Sequence, residues 1–436
     1  MAKKLSFSDL DGKLSKISPL GSVITKNVFS QIDDWISTGN YMLNAQLSGS
    51  IFGGMPNSRS VTLAGEAGTG KTFLALNMCR EAQKKGYEII YCDSEAAVDR
   101  RQMENFGLDP GRVRYEPVNT VQQFSIFVNN LTKIVKDAKE SDTEVPKLFI
   151  VLDSLGNLAS SKEKEDMISG KQVRDMTKQQ AIRSMFRTIT MDLAELKIPL
   201  IVCNHTYDGI GLFAKKEISG GGGIMFNSSG IIMLSKAQLK ETDKKIKETA
   251  NQAEMKQTGI VVTSRIRKSR FSRPIPIKFH ISFFKGMNKY TGLEKYITWD
   301  SCGIAKGDLL TEKQFEKLAK KKRDEYDIER YSWIHKTPIY ETDEKTGKKK
   351  KVDEKEERLY FFPKESGRSI VVKHLGERLP QKELFTSKVL TMDVLKEIDE
   401  KEIKPLFKLP EVGIDDLDDI VTGIESTDDE FDKDDE

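Results

Sequence analysis

The 436 residues hold 38% hydrophobic and 31% charged side chains, enough for a substantial core and roughly two to three domains. The net charge of +3 hides an asymmetry: residues 411–436 hold 13 Asp/Glu against one Lys, so they carry −12 and the other 410 residues +15. No run approaches the roughly 18 apolar residues of a membrane span and the amino terminus lacks the apolar core of a secretory signal, which excludes membrane-spanning readings and predicts an intracellular protein.

In chain order, Leu10, Leu14, Ile17 and Leu20 allow an amphipathic helix near the amino terminus. From Ser60 to Asp300, short apolar runs alternate with amphipathic segments, the pattern of a parallel sheet with crossover helices. The runs are SVTLAG (Ser60 to Gly65), YEIIYCD (Tyr87 to Asp93), VRYEPV (Val113 to Val118), KLFIVLD (Lys147 to Asp153), IPLIVCN (Ile198 to Asn204) and GIIMLSK (Gly230 to Lys236). Most are too continuously apolar for a one-sided sheet. Between them, Val121 to Val135 and Val173 to Leu196 recur at helical spacing. Two further runs, Gly259 to Ile266 and Pro276 to Phe284, read as edge strands.

Beyond Asp300, basic runs alternate with aromatic segments such as YSWIHKTPIY. This predicts a small C-terminal domain with a surface hairpin around Thr346-Gly347. Residues after Pro410 are expected to be disordered, because they bury too little apolar surface to offset ordering entropy. The acidic tail can compete for polyanion surfaces on the basic body, or serve only as a solubiliser. The cysteines and the four histidines show no ligand spacing, so no structural metal or disulfide framework is expected.

Gly65-Glu66-Ala67-Gly68-Thr69-Gly70-Lys71-Thr72 satisfies GxxxxGK[ST], directly after a predicted strand and before a helical segment. The glycines let backbone N–H groups point at phosphates, Lys71 reaches the terminal phosphates, and the Thr72 hydroxyl binds Mg²⁺. Asp153 ends an apolar strand and is a second candidate for the metal, or else a cap for the next segment. Asp93 and Glu95 end another strand, where a carboxylate can orient the attacking water or start a helix. His205 ends a third strand. Ligands in open α/β sheets sit at strand carboxyl ends, so these residues should converge on one crevice.

Two segments read as loops without regular structure, Ser160 to Lys171 and Thr206 to Gly223. The first carries Lys162, Lys164 and Lys171, the second Phe213, Lys215, Lys216 and a glycine run including Gly220 and Gly221. An aromatic beside cations suits a single-stranded nucleic acid, and a flexible insertion is the alternative. Arg265, Arg267, Lys268, Arg270 and Arg273 crowd one strand end, as an exposed edge or as cations offered to the phosphate of DNA or of a neighbouring subunit's ATP.

GEAGTGKT, YCDSEAAVDRRQMENFGLDPGRV, VLDSLGNLASSKEKED, QVRDMTKQQAIRSMFR, NHTY, the GGGG run and RKSR, in order over about residues 40 to 295, resemble the RecA-type recombinases, most closely the phage UvsX group. The resemblance implies a RecA-like P-loop ATPase core at 36–300, an N-terminal protomer-docking segment at 1–35, a C-terminal α+β domain at 301–410 and the acidic tail at 411–436. It implies a DNA-dependent ATPase, with ATP and Mg²⁺, that polymerises as a helical filament on single-stranded DNA and exchanges strands with homologous duplex. A RecA-fold ring helicase and an ATP-switched accessory recombination protein are the alternatives. Recombination-mediator and single-strand-binding partners are implied too, as is a cytoplasmic location, the host cell's if the chain is phage-encoded.

By the same resemblance, Lys71 and Thr72 hold phosphate and Mg²⁺, Asp153 coordinates Mg²⁺ through water, and Glu95 activates the hydrolytic water. Asp99 lies near the adenine, and Gln102 stands where the family often has an aromatic, implying weaker selectivity for the base. His205 senses the γ-phosphate and passes its state to the second DNA loop. Lys268 and Arg270 reach across the subunit interface to the neighbouring ATP.

Overall fold

A computed structural model describes residues 5–18, 21–26, 31–170, 177–208, 216–240, 257–342 and 349–409. The acidic tail, the turn at Thr346-Gly347, and Leu20, Lys171, Phe213 and Lys215 lie outside them.

The protein is α/β. Its central sheet runs, from one edge, Gly286–Met287, Ile277–Ser282, Gln257–Ser269, Gly230–Lys240, Ser60–Gly65, Leu200–Asp208, Lys147–Asp153, Tyr87–Asp93 and Val113–Pro117. From Gly230–Lys240 to Val113–Pro117 all neighbours are parallel, whereas the first four strands pair antiparallel. All six apolar runs named above form strands in it.

Alternation along each strand sends side chains to two separate cores. In Lys147–Asp153, Phe149 and Val151 join one cluster, and Ile150 and Leu152 the other. Helix Lys71–Lys84 covers the first face, and helices Val121–Glu140 and Thr177–Leu196 the second. Val121–Glu140 starts at a capping box, in which the Thr120 hydroxyl accepts from the Gln123 N–H, and it buries Val121, Phe124, Val128 and Val135. Phe124 is wholly buried, and truncating it to Ala would cost about 3–5 kcal/mol.

Helix Phe7–Ile17 also starts at a capping box, Ser6 with Asp9, but buries no residue. Its apolar stripe is open to solvent, with Phe7 70% and Ile17 80% exposed.

After residue 303 the chain builds a five-stranded antiparallel sheet, in the order Ser332–Thr342, Lys349–Pro363, Ile304–Thr311, Ser369–Val372 and Glu377–Pro380. Short helices cover its root, where Phe315 stacks on Tyr360 and Trp299 on Phe361, each pair with ring centroids 4.0 Å apart. The chain then returns to the central core: Val394, Ile398, Ile403 and Phe407 share a cluster with Met42 and Ile51. Asp399, almost fully buried, seals this return by accepting from the Ser50 hydroxyl at 2.6 Å and the Ile51 N–H at 2.8 Å.

Candidate nucleotide site and its links to two loops

Strand Ser60–Gly65 runs into the glycine-rich loop, and helix Lys71–Lys84 follows at once. Gly68 and Gly70 take φ of +72° and +92°, and Gly70 caps the helix without any side-chain bond. A 14-residue helix thus begins with its first N–H groups available to an anion. The Lys71 ammonium is buried and donates to the carbonyls of Gly65 and Glu66, each at 2.8 Å. Burial lowers its pKa, a bias that Cys203, Asp153 and Glu95 oppose.

Asp153, at the end of its strand, is buried and accepts from the Thr72 hydroxyl at 2.7 Å and the Tyr91 hydroxyl at 2.8 Å. Burial raises its pKa despite those two bonds. Thr72 and Asp153 offer only oxygen, the donor type a hard cation such as Mg²⁺ prefers. Together with the bare helix start and the Lys71 ammonium, this donor set fits a magnesium-bound polyphosphate.

The two carboxylates after strand Tyr87–Asp93 separate by role. Asp93 is a backbone clamp: its oxygens accept the N–H groups of Glu95, Ala96 and Ala97, at 2.8, 2.9 and 3.1 Å. That clamp turns Glu95 towards the crevice. Glu95 Oε1 accepts from the Ser154 hydroxyl at 2.6 Å and lies 2.9 Å from His205 Nε2. Burial pushes the Glu95 pKa up, but the bonds from Ser154 and His205 outweigh it, and the net shift is downwards. Glu95 is therefore held as the anion.

Both segments read as loops begin at this crevice, and both carry regular structure that the sequence pattern did not announce. Ser161–Ile168 is a helix with a Ser160–Glu163 capping box. Lys162 and Lys164 are exposed on it, and Met167 and Ile168 stand 76% and 81% exposed. It has no apolar stripe to bury, which is why periodicity missed it. In the second segment, strand Leu200–Asp208 continues past His205 and pairs with Lys216–Ile218, and helix Gly222–Asn227 follows.

Gly220 and Gly221 have φ of +88° and +60° and form the turn into that helix. Lys216 forms an ion pair with Glu66 of the glycine-rich loop. Asn204 Nδ2 donates to the Ser219 carbonyl at 2.7 Å. On the first segment's side, Lys178 Nζ donates to the Gly156 carbonyl at 3.0 Å, two residues from Ser154.

Four predicted residues stand away from this cluster. Asp99 caps helix Arg100–Asn105, accepting from the Gln102 N–H at 2.7 Å, and Gln102 is exposed. Lys268 and Arg270 lie towards the opposite end of the sheet. Gly65 pairs with Leu234, whereas Lys268 pairs, past a bulge, with Ile231, so Lys268 sits about 10 Å farther along, at about 3.3 Å per residue. Lys268 Nζ donates to the carbonyls of Met225 and Phe226, at 2.7 and 3.0 Å.

Sequence reasoning missed Tyr91, Ser154 and Lys178. Ser154 was within reach, being adjacent to Asp153. Tyr91 sits inside an apolar run, and its partner is 62 residues away. The exposed pair Phe283 and Phe284, beyond strand Ile277–Ser282, was read only as strand; Ile281 of that strand is the near neighbour of Gly70.

Comparison with known proteins agrees with this geometry. A family model described as RecA N-terminal domain matches residues 9–287. The recombination and repair protein of Enterobacteria phage T4 is 34% identical over 239 residues, 54% of this chain and 59% of that protein. Protein RecA of Malacoplasma penetrans is 28% identical over 206 residues, 45% of this chain and 57% of that one. Protein RecA of Gluconobacter oxydans is 28% identical over 299 residues, 64% and 76%. The chain thus spans less than two thirds of the length of the first two relatives. The family match, by contrast, takes in the candidate crevice, both loop segments and the cationic strand end, and on that breadth the chain belongs to the RecA family.

Proposed function

We propose that the protein is a DNA-dependent ATPase that polymerises on single-stranded DNA and promotes homologous pairing and strand exchange. The observation that carries this reading is the position of Glu95 between Ser154 and His205, with His205 on the strand that leads into the second loop. A γ-phosphate competes for the same groups, so its presence and the setting of that loop are linked.

In this reading Lys71, Thr72 and the helix start hold the triphosphate, while Thr72 and Asp153 hold Mg²⁺, which supplies charge neutralisation at the phosphates. Glu95, kept anionic by its two donors, orients and deprotonates the attacking water. Phe283 and Phe284 offer an apolar surface for the base that Gln102 does not. Exposed Met167, Ile168, Lys162 and Lys164, with Lys216, face DNA. Lys268 and Arg270, remote from their own phosphate loop, serve a neighbour's triphosphate, and the apolar stripe of helix Phe7–Ile17 docks on an adjacent protomer. The linkage is reciprocal: DNA should tighten ATP binding.

ATP turnover with and without single-stranded DNA tests the reading. It should rise on DNA addition and collapse in Lys71→Ala, and electron micrographs should show helical filaments. DNA-independent turnover, or closed hexameric rings, would overturn it.

A further inference from the structure

Gly156 stands in the middle of the 3₁₀ turn Leu155–Asn157, between Ser154 and the first loop segment. Its backbone is not left-handed, so any L-residue can adopt it, and alanine would lose less conformational entropy there on folding. Conformation therefore does not ask for glycine at this position. Space does: a Cβ at 156 would lie 2.9 Å from His205 Cδ2, 3.1 Å from Asn204 Oδ1 and 3.4 Å from His205 Cβ. Carbon atoms pack best at about 3.5–4.0 Å, so the imidazole would have to retreat by about 0.6 Å or more.

Nothing else at this contact is free to yield instead. The Gly156 carbonyl accepts from Lys178 Nζ at 3.0 Å. Ser94 holds both backbone groups of Ser154, its hydroxyl donating to the carbonyl at 2.8 Å and accepting from the N–H at 2.9 Å. Leu155 and Leu158, on either side of the turn, are fully buried. Across the contact, the His205 backbone is fixed in the sheet beside Gly65, its N–H donates to Asn204 Oδ1, and its carbonyl accepts from the Ser219 N–H at 3.0 Å. The ring is what moves. Its Nε2, bonded to the crowded Cδ2, lies 2.9 Å from Glu95 Oε1. N–H···O bonds run from about 2.7 to 3.2 Å, so this contact has less slack than the ring would need.

We propose that Gly156 is a positioning residue: the missing side chain at 156 lets His205 stand against Glu95 and keeps both groups aimed at the attacking water and the γ-phosphate. The catalytic consequence rests on the roles proposed above for Glu95 and His205; the steric relation itself does not. The same contact joins the two loop segments at one point. His205 belongs to the strand that continues into the second, and Gly156 to the turn that leads into the first.

Urea unfolding of the full chain, without nucleotide or DNA, tests the contact in the parent, Gly156→Ala, His205→Ala and the double variant. Gly156→Ala should lower the urea midpoint of the parent by about 0.5 M or more, as overpacking a filled site does. In His205→Ala the ring is gone, so the same methyl group should lower the midpoint by no more than about half as much, the Asn204 oxygen accounting for the remainder. Equal falls in both backgrounds, or no fall in the parent, overturn the proposal. Should Gly156→Ala fail to fold, a folded double variant is the expected result and an unfolded one overturns it.

Steady-state ATP turnover on single-stranded DNA, taken well below the melting temperature, tests the consequence. Gly156→Ala should lower kcat at least about tenfold, since a misplacement of about 1 Å can cost about 10²-fold, while KM for ATP stays within about threefold because Lys71, Thr72 and Asp153 are untouched. A turn with only a structural role would leave kcat per folded molecule unchanged. That result, or a KM that rises in step with the loss, overturns the assignment. The midpoint comparison is read without ATP, so its failure counts against this contact alone, whereas DNA-independent turnover of the parent counts against the functional reading.

Discussion

Thr72 donates its hydroxyl hydrogen to Asp153 at 2.7 Å, joining residues 81 apart in sequence. The bond holds together the two oxygens proposed above to hold Mg²⁺, and the Tyr91 hydroxyl donates to the same Asp153 oxygen at 2.8 Å. In the absence of cation, burial makes the Asp153 carboxylate unfavourable, which is the state a divalent ion relieves.

Asp153→Asn should therefore lower ATP turnover by about 10²-fold or more, the order of effect seen when a charge-stabilising group is lost. Its Mg²⁺ requirement should shift to higher concentration. Thr72→Ser, which keeps the hydroxyl, should stay within about threefold of the parent. Steady-state hydrolysis across a Mg²⁺ series checks both, and an unaltered Mg²⁺ dependence in Asp153→Asn would remove the metal assignment.

Glu95 gives a pH prediction. Its folded pKa is held below the ordinary glutamate value of about 4.3. Its contribution to stability is thus present above about pH 4.3 and is lost as pH falls through the folded value. Glu95→Gln should lower Tm at pH 7, with the difference from the parent shrinking towards pH 4, and should abolish turnover throughout pH 6–8. Melting curves and rates over that range decide it; a residual rate that climbs with pH would assign the base elsewhere.

Where a local rule and the tertiary fold ask for the same thing, the chain can be read directly. Ser60–Gly65 is rich in apolar residues, ends in a glycine motif and is followed by a helix, so strand, loop and helix were all legible. Lys147–Asp153 is legible for the same reason. Helix Ser161–Ile168 was not, because its evidence is a capping box without an apolar stripe.

The division of labour between Asp93 and Glu95 was also hidden, since both are acids after one strand. Only the backbone turn that Asp93 clamps shows which of them reaches the crevice. Contacts such as Tyr91 with Asp153 depend on strand order, which composition and spacing do not encode.

Lys216 and Glu66 tie the second loop to the phosphate loop through an exposed ion pair. Such a pair contributes little to stability, about 0–1 kcal/mol, so Lys216→Ala should shift Tm by no more than about 2–4 °C. What it should remove is coupling: stimulation of turnover by single-stranded DNA is expected to fall severalfold. Titration of DNA against ATPase rate measures this, and full stimulation in the variant would show that the pair is only a surface contact.

Asp399 tests how the C-terminal return is fastened to the core. Its carboxylate satisfies the Ser50 hydroxyl and the Ile51 N–H inside the fold. Asp399→Ala leaves the buried Ile51 N–H without its acceptor and opens a small void, at a cost of about 2–4 kcal/mol. Asp399→Asn behaves differently, because its carbonyl can still accept from Ile51 while its amide donates to Ser50. Burial raises the Asp399 pKa. The folded state therefore holds that proton more tightly, and the parent loses stability as pH rises from about 3.9 through the folded value. Asparagine carries no such charge, so at pH 7 Asp399→Asn should melt much closer to the parent than Asp399→Ala does. Urea unfolding of the three chains at pH 5 and 7 makes the comparison; equal losses in both variants would mean that the charge itself, rather than the two hydrogen bonds, fastens the segment.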